Sequence, residues 1–244
     1  RKFVFASWVW NMFDFVSDLR KEGDSIDINT KGLVTFDRKT RKDAFYYYKA
    51  QWNPEPMIWL TGKRHTDRPY PLMDVRAYTN GERAQLRMNG AVVGAADCPD
   101  GVCVWPNVAL RPGPNRADVS ILGAMASGQG GASIPVQIED SATFNGPDPA
   151  QGIRIDAGDL AGRVLGESRF GSDNFVTGGT PQVLNMGGFG KMQPVIRTAA
   201  APQPRLYDYW REGEAFSYAV PVPDGGLTNV VAPKQWAITC TLGA

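Results

Sequence analysis

Three residues near the start of the chain have the types and spacing to hold a small polar molecule: Trp10, Asn29 and Lys31. In Asn29-Thr30-Lys31-Gly32 an amide and an ammonium share one loop. Such a pair can grip a carboxylate through a charge-assisted bond, or hydroxyls through neutral ones. The competing reading is a loop lysine in solvent. An indole such as Trp10 offers a flat apolar face, and its N–H can donate. Trp8, two residues earlier, shares that face but reads as core.

The same stretch carries Asp14, Asp18, Glu22, Asp24, Asp27 and Asp37. Acid–base work would need one or two of them positioned within reach of a reacting group. Nothing in the sequence holds two face to face, and most read as loop acids, turn residues or partners for Arg20, Lys21 and Arg38. Metal chemistry needs clustered ligands. His65 is the single histidine and Cys240 lies far from Cys98 and Cys103, so neither a metal nor another cofactor is expected. Gly178-Gly179 and Gly187-Gly188-Phe189-Gly190-Lys191 are glycine-rich. They lack the strand–loop–helix setting, and the Ser or Thr after Lys, of a phosphate loop.

The elements that must position these residues follow from periodicity. Phe3 to Phe15 is an almost unbroken apolar and aromatic run, which suits a strand buried on both faces. Further on, Phe45, Tyr48, Lys49 and Trp52 fall at i, i+3, i+4 and i+7, which predicts a helix with Phe45, Tyr48 and Trp52 on one face. Asn53-Pro54 stops it, because the residue before proline is pushed out of the helical region. The order is buried strand, long loop, amphipathic helix. One such unit cannot bury its own faces, so it reads as the last piece of something that began earlier.

Three segments together carry a resemblance: Trp8-Val9-Trp10-Asn11-Met12-Phe13-Asp14-Phe15, Asn29-Thr30-Lys31-Gly32-Leu33-Val34-Thr35-Phe36-Asp37-Arg38, and Lys42-Asp43-Ala44-Phe45-Tyr46-Tyr47-Tyr48-Lys49-Ala50-Gln51-Trp52. They resemble the C-terminal end of the catalytic domain of glycoside hydrolase family 2, which contains the β-galactosidases and β-glucuronidases. The resemblance covers roughly residues 1–65. It implies that Phe5–Phe15 contains the eighth strand of a TIM (β/α)8 barrel and Asp43–Trp52 the eighth helix. Active sites of such barrels lie at the C-terminal ends of the strands, which would put Trp10, Asn29 and Lys31 at the mouth of a sugar pocket. The alternative for Trp10 is barrel core. The Asn-x-Lys pattern matches the one that grips the uronate in β-glucuronidases, while galactosidase-like members with the same Lys-Gly-Leu-Val-Thr context carry similar residues. Retaining hydrolysis needs two carboxyl groups about 5–5.5 Å apart. The resemblance places both glutamates on earlier strands, so this chain alone is expected to be inactive. The function it implies is the C-terminal portion of a retaining exo-β-glycosidase acting on terminal β-galactosides. A β-glucuronidase or β-galacturonidase fragment and a non-catalytic carbohydrate-binding module are the alternatives.

Beyond residue 65 the pattern is mainly β. Val75, Ala77 and Tyr78 open a strand ended by Asn80-Gly81, and Ala84, Leu86 and Met88 alternate up to Asn89-Gly90, a strong hairpin signal. Val102–Trp105, Ala117–Ile121 and Ile134–Ile138 add strands, which predicts an Ig-like β-sandwich over 69–141 after a boundary at Pro54–Pro69. Cys98 and Cys103 bracket a turn, where a local disulfide and two reduced thiols fit equally well. Asp140–Gln151 has linker composition. Residues 152–244 resemble a malectin-like carbohydrate-binding sandwich up to about 226. Leu227–Ala244, interrupted by Pro233, departs from that pattern and predicts an incomplete domain with an unpaired edge.

Composition narrows the partners. Lys+Arg 26 against Asp+Glu 25 argues against nucleic acid or an acidic membrane surface. No apolar run approaches a membrane span. A glycan is the expected substrate, and the aromatic barrel remnant, left without cover, invites self-association. The chain begins with Arg1 and shows no signal-peptide pattern; a longer parent is expected to be periplasmic or secreted.

Overall fold

A computed structural model describes residues 3, 5–22, 25–123, 125–127, 133–135, 138–159, 162–165, 168–183 and 209–220. The glycine-rich Gly187–Lys191, Cys240 and the interrupted segment Leu227–Ala244 lie outside the described residues.

The chain opens with β1 (Phe15–Glu22) and β2 (Ser25–Asn29), an antiparallel hairpin with an irregularity between Val16 and Lys21. Residues 5–14 form no regular strand, against the expectation of a buried strand within Phe5–Phe15. An interior strand needs partners along both edges. Here the pairing is one isolated parallel bridge, Phe13 to Val34. Phe5 is 96% and Trp8 79% exposed, so Trp8 is not core.

Helix α1 (Asp43–Trp52) forms over the expected residues and stops at Asn53, whose N–H donates to the Lys49 carbonyl. Its docking face differs from the expected one. Tyr46 stacks on Trp59 with ring centroids 3.4 Å apart and planes 4° from parallel, and Tyr47 meets Tyr78 edge-on at 5.4 Å. Ala50 is buried, while Trp52 stays exposed. The helix turns toward the sandwich that follows, because that is the apolar surface within its reach.

Nine strands come next: β3 (Ile58–Leu60), β4 (Leu72–Thr79), β5 (Arg83–Met88), β6 (Ala91–Asp97), β7 (Val102–Ala109), β8 (Gly113–Ile121), β9 (Met125–Ser127), β10 (Ser133–Pro135) and β11 (Glu139–Gly146). One sheet has the order β3-β4-β7, the other β11-β8-β5-β6, and β9 and β10 make a separate hairpin. All pairings in the two sheets are antiparallel. Alternate residues of both sheets meet in one core: Leu60, Val75, Ala77 and Trp105 from the first, Leu86, Val119 and Phe144 from the second. This is an Ig-like sandwich in which the strand after β5 stays in the same sheet.

Asn89-Gly90 makes the expected two-residue hairpin between β5 and β6, with φ of +53° and +83° as a type I′ turn requires. Asn80-Gly81 does not. It carries the chain from one sheet to the other, since β4 and β5 are not paired. The Asn80 side chain is spent on that crossing: its Oδ1 accepts from the Met57 N–H at 2.8 Å and its Nδ2 donates to the Asn53 and Glu55 carbonyls. Two stretches read as connections contribute strands. Ile58–Leu60 pairs with β4 inside the expected boundary, and Asp140–Gln151 begins within β11, which runs in register with β8 from Glu139↔Ser120 to Gly146↔Gly113. Phe144, fully buried, is the single large apolar residue that holds β11 to the core.

Cys98 and Cys103 are joined by a disulfide around a short 3-10 turn, Pro99–Gly101. The bond ties the end of β6 to the start of β7 and so links the two sheets. Gln51 of α1 donates to the Asp100 carbonyl in that turn at 2.7 Å.

Past the sandwich, β12 (Arg163–Leu165) pairs with β13 (Ser168–Phe170) and β14 (Val176–Val183) with β15 (Tyr209–Tyr218). A buried ion pair organises this part. The Arg211 guanidinium donates to Asp173 Oδ2 through Nε at 2.8 Å and Nη2 at 2.7 Å, and to the Gly178 and Gly179 carbonyls through Nη1. Tyr218 donates to the other Asp173 oxygen at 2.6 Å. Tyr70 joins this cluster to the sandwich: its hydroxyl donates to the Ser172 carbonyl and its ring meets Phe175 at 4.7 Å. Burial, and then Asp173, push both tyrosine hydroxyls well above their ordinary value of 10.0.

Two outcomes follow for stability. Phe144→Ala removes a fully buried ring and should cost about 3–5 kcal/mol in urea unfolding, whereas Trp8→Ala should change it by less than about 0.5 kcal/mol. Tyr70 and Tyr218 keep their protons when folded, so above pH 10 the unfolded chain alone releases them. Stability contributed by these tyrosines is therefore present below pH 10 and falls as pH rises beyond it. Tyr218→Phe should flatten the alkaline limb of a stability–pH curve, and an unchanged slope would exclude Tyr218 as its source.

Candidate functional site

The loop that carries Asn29 and Lys31 is fixed by a buried carboxylate. Asp14, 5% exposed, accepts through Oδ1 from the Gly32 N–H at 2.9 Å and from the Lys42 ammonium at 2.6 Å. Lys42 Nζ also donates to the Thr30 carbonyl at 2.8 Å. Gly32 sits so close to the 13–14 backbone that an added Cβ would lie 2.1 Å from the Asp14 nitrogen. Glycine is required there by contact.

Backbone bonds complete the frame. The Leu33 N–H donates to the Asn11 carbonyl, Val34 to Met12, and Asp14 to Val34, all within 2.9–3.0 Å. The Lys42 N–H in turn donates to the Leu33 carbonyl at 2.8 Å, which ties the start of α1 to the loop. Segments 11–14 and 32–34 therefore run side by side, although 18 residues separate Asp14 from Gly32.

Around this frame the candidate residues gather. Asn29, buried, closes β2 opposite Phe15 and accepts the Lys31 N–H through Oδ1 at 3.0 Å, a local turn that sets the course of the loop. Lys31 is exposed. Trp10, 74% exposed, meets Phe15 edge-on at 6.1 Å, and Phe15 is the ladder partner of Asn29. Trp10 is therefore a surface indole. The Trp10–Asn11 peptide is cis. Asn11, which sequence reasoning passed over, donates through Nδ2 to the Phe13 carbonyl, while its buried Oδ1 has no hydrogen-bond partner among the described residues. Asp14 and Lys42 were missed as positioning residues too. The available signal was an acid inside an otherwise apolar run, which must find a cation or several donors once buried.

Of the loop acids, Asp37 accepts from the Thr35 hydroxyl at 2.6 Å and the Lys39 N–H at 3.1 Å. Those bonds hold its carboxyl below the usual range, so it is an anion rather than a proton donor. Asp14 is likewise committed to structure. Among the described residues no cluster of His, Cys, Asp or Glu could hold a metal ion. No described helix is long and apolar enough to cross a membrane.

No family model matches the chain. A curated β-glucuronidase of Bacteroides fragilis is 51% identical over 126 residues, which are 50% of this chain and 18% of that protein. Over that stretch the chain is similar in sequence to a β-glucuronidase. It spans less than a fifth of the length of that curated relative. Solved β-glucuronidase structures share its fold. A Bacteroides uniformis β-glucuronidase 2, covalently bound to cyclophellitol-6-carboxylate aziridine, superposes with a TM-score of 0.58 at 22% identity over 82% of this chain and 24% of its own. A further B. uniformis β-glucuronidase gives 0.54 at 22% identity over 71% and 22%.

The frame around Asp14 generates a test. Lys42→Met keeps the stem but leaves a buried carboxylate without its cation, which should cost about 3 kcal/mol in denaturant unfolding. Adding Asp14→Asn removes the stranded charge and should recover most of that loss. A double variant as unstable as the single one would mean that Lys42 acts through packing.

Proposed function

We propose that this chain forms the C-terminal part of a retaining β-glycosidase, with Trp10, Asn29 and Lys31 lining the sugar site and β-glucuronides as substrates. The observation that supports the reading is that segments 11–14 and 32–34, which adjoin Trp10 and Lys31, are hydrogen-bonded side by side. Resemblance to family 2 enzymes supports glycoside hydrolysis. The Asn29–Lys31 loop and the curated β-glucuronidase relative favour a uronide over the galactoside that the sequence put first. In this reading Trp10 offers its face to the sugar ring. Lys31 pairs with the uronate, a bond that a neutral galactoside cannot make. The glutamate pair comes from earlier strands of the longer enzyme, so the chain alone turns over no glycoside. The sandwich carries no chemistry here; it holds α1, whose start is tied to the loop. The exposed aromatics Phe3, Phe5, Trp8 and Trp10 form a surface suited to association, which sedimentation at increasing concentration would show as rising mass.

The deciding experiment is Lys31→Ala in the longer enzyme. Turnover of nitrophenyl β-glucuronide should fall roughly ten- to over a hundredfold, as loss of one partner of a charge-assisted bond predicts. Turnover of the β-galactoside, if any, should be spared. Equal losses on both would shift the reading to galactosides, with Lys31 serving hydroxyls. No loss on either would place Lys31 outside the site.

A further inference from the structure

We infer a second binding site, for an oxyanion carried on an aromatic or other flat ring, in the cavity beside helix α1. The cavity is about 500 Å³ and is lined by Met12, Phe13, Val34, Arg38, Lys39, Arg41, Phe45 and Tyr46. That size falls within the usual range for small-molecule sites, about 300–1,000 Å³. Three of its lining residues are cations, and the other five are apolar or aromatic.

The cations are not consumed by the fold. Among the described residues no carboxylate forms an ion pair with Arg38 or Arg41. Of the neighbouring charges, Lys42 is committed to Asp14, Asp43 accepts from Trp59 Nε1 and the Gly62 N–H, and Asp37, held by Thr35 and the Lys39 N–H, is an anion that faces the Lys39 ammonium. What remains unmatched is the charge of Arg38 and Arg41, in a chain whose overall net charge is only +1.

The two guanidiniums are also held in place. Arg38 lies over the Phe13 ring at 4.1 Å and Arg41 over the Phe45 ring at 5.1 Å. Stacking occupies the face of a guanidinium and leaves its in-plane N–H fork free to meet a carboxylate, sulfate or phosphate. A fixed fork also loses less freedom on binding than a loose one. Arg38 is placed by a turn in which its own φ is +62°, closed by its N–H to the Thr35 carbonyl and by the Thr35 N–H to the Thr40 carbonyl. Met12, Val34 and Tyr46 supply apolar wall for the body that bears the anion. This site uses none of Trp10, Asn29 or Lys31, so it stands whether or not those residues bind sugar.

Calorimetric titration of the intact chain tests the assignment, with 4-nitrophenyl sulfate, 4-nitrophenyl phosphate and benzoate as probes and phenyl β-glucoside and inorganic sulfate as controls. At least one aryl oxyanion should bind saturably. Its affinity should drop roughly tenfold or more in Arg41→Gln and in Arg38→Asn. Asparagine is chosen at position 38 because it tolerates positive φ. Lys31→Ala should leave the affinity unchanged. Phenyl β-glucoside binding as tightly would remove the anion from the inference, and inorganic sulfate binding as tightly would remove the ring. The site is overturned if no aryl oxyanion binds at millimolar concentration. It is equally overturned if both arginine variants bind like the wild type while retaining its circular dichroism. Loss in Lys31→Ala alone would place the ligand in the sugar site instead. Arg41→Lys, which keeps charge and stem, should fall between wild type and Arg41→Gln if the fork matters, and equality with the wild type would reduce the site to simple charge.

Discussion

A single carboxylate out of reach of water dictates the course of the first fifty residues. Asp14 cannot remain buried and unpaired, so the chain must deliver donors to it from far along the sequence. It receives a backbone N–H from Gly32 and an ammonium from Lys42, 28 residues away. Meeting that demand draws three pieces together: the aromatic segment, the Asn29–Val34 loop and the first turn of α1. A buried pair of this kind adds little net stability over an apolar substitute, but removal of either partner is costly. Its effect here is to specify one arrangement. Asp43, the next residue, makes the opposite connection, since its two oxygens accept from Trp59 and Gly62 at the edge of the sandwich. Lys42 reaches back toward the loop and Asp43 forward toward β3. Two adjacent residues of opposite charge thus join the loop to the domain behind it.

Much of this was legible in the residues. The helix from Asp43 to Trp52, the Asn89-Gly90 hairpin and the alternating strands of the sandwich rest on local signals, because turn chemistry and period-two burial act over a few residues. Asn80-Gly81 carried the same dipeptide signal and misled. Whether such a turn closes a hairpin or passes between sheets depends on where β5 finds its partners, which is a property of the whole domain. β11 was hidden for another reason. One buried Phe144 amid small polar residues leaves no period to detect, and the strand is held by its ladder to β8. The face of α1 was misjudged because the periodic positions Phe45, Tyr48 and Trp52 say that the helix is amphipathic without saying which surface it meets.

The candidate site divides along the same line. Trp10, Asn29 and Lys31 could be picked out by chemical type, and the fold does bring their segments side by side. What spacing could not supply was the support beneath them. Asp14 looked like one more loop acid, and no spacing singled out Lys42 or Gly32. Their roles depend on a distance of closest approach that no linear reading contains. The cluster of Asp173, Arg211, Tyr218 and Tyr70 is comparable: its members lie up to 148 positions apart in numbering, from Tyr70 to Tyr218, and meet around one carboxylate.

The stack of Tyr46 on Trp59 bears on how this region can be exchanged between proteins over evolutionary time. The Lys63 ammonium caps the other side of the same indole at 3.6 Å while donating to Asp140 of β11 at 2.6 Å. Helix, first strand, connecting loop and last strand are therefore interlocked through a few side chains. A recombination break at the proline-rich junction between α1 and β3 would separate partners that fit only one another. Both halves would then carry mismatched surfaces into their new hosts. Crossovers that leave this joint intact must fall before the helix or beyond β11.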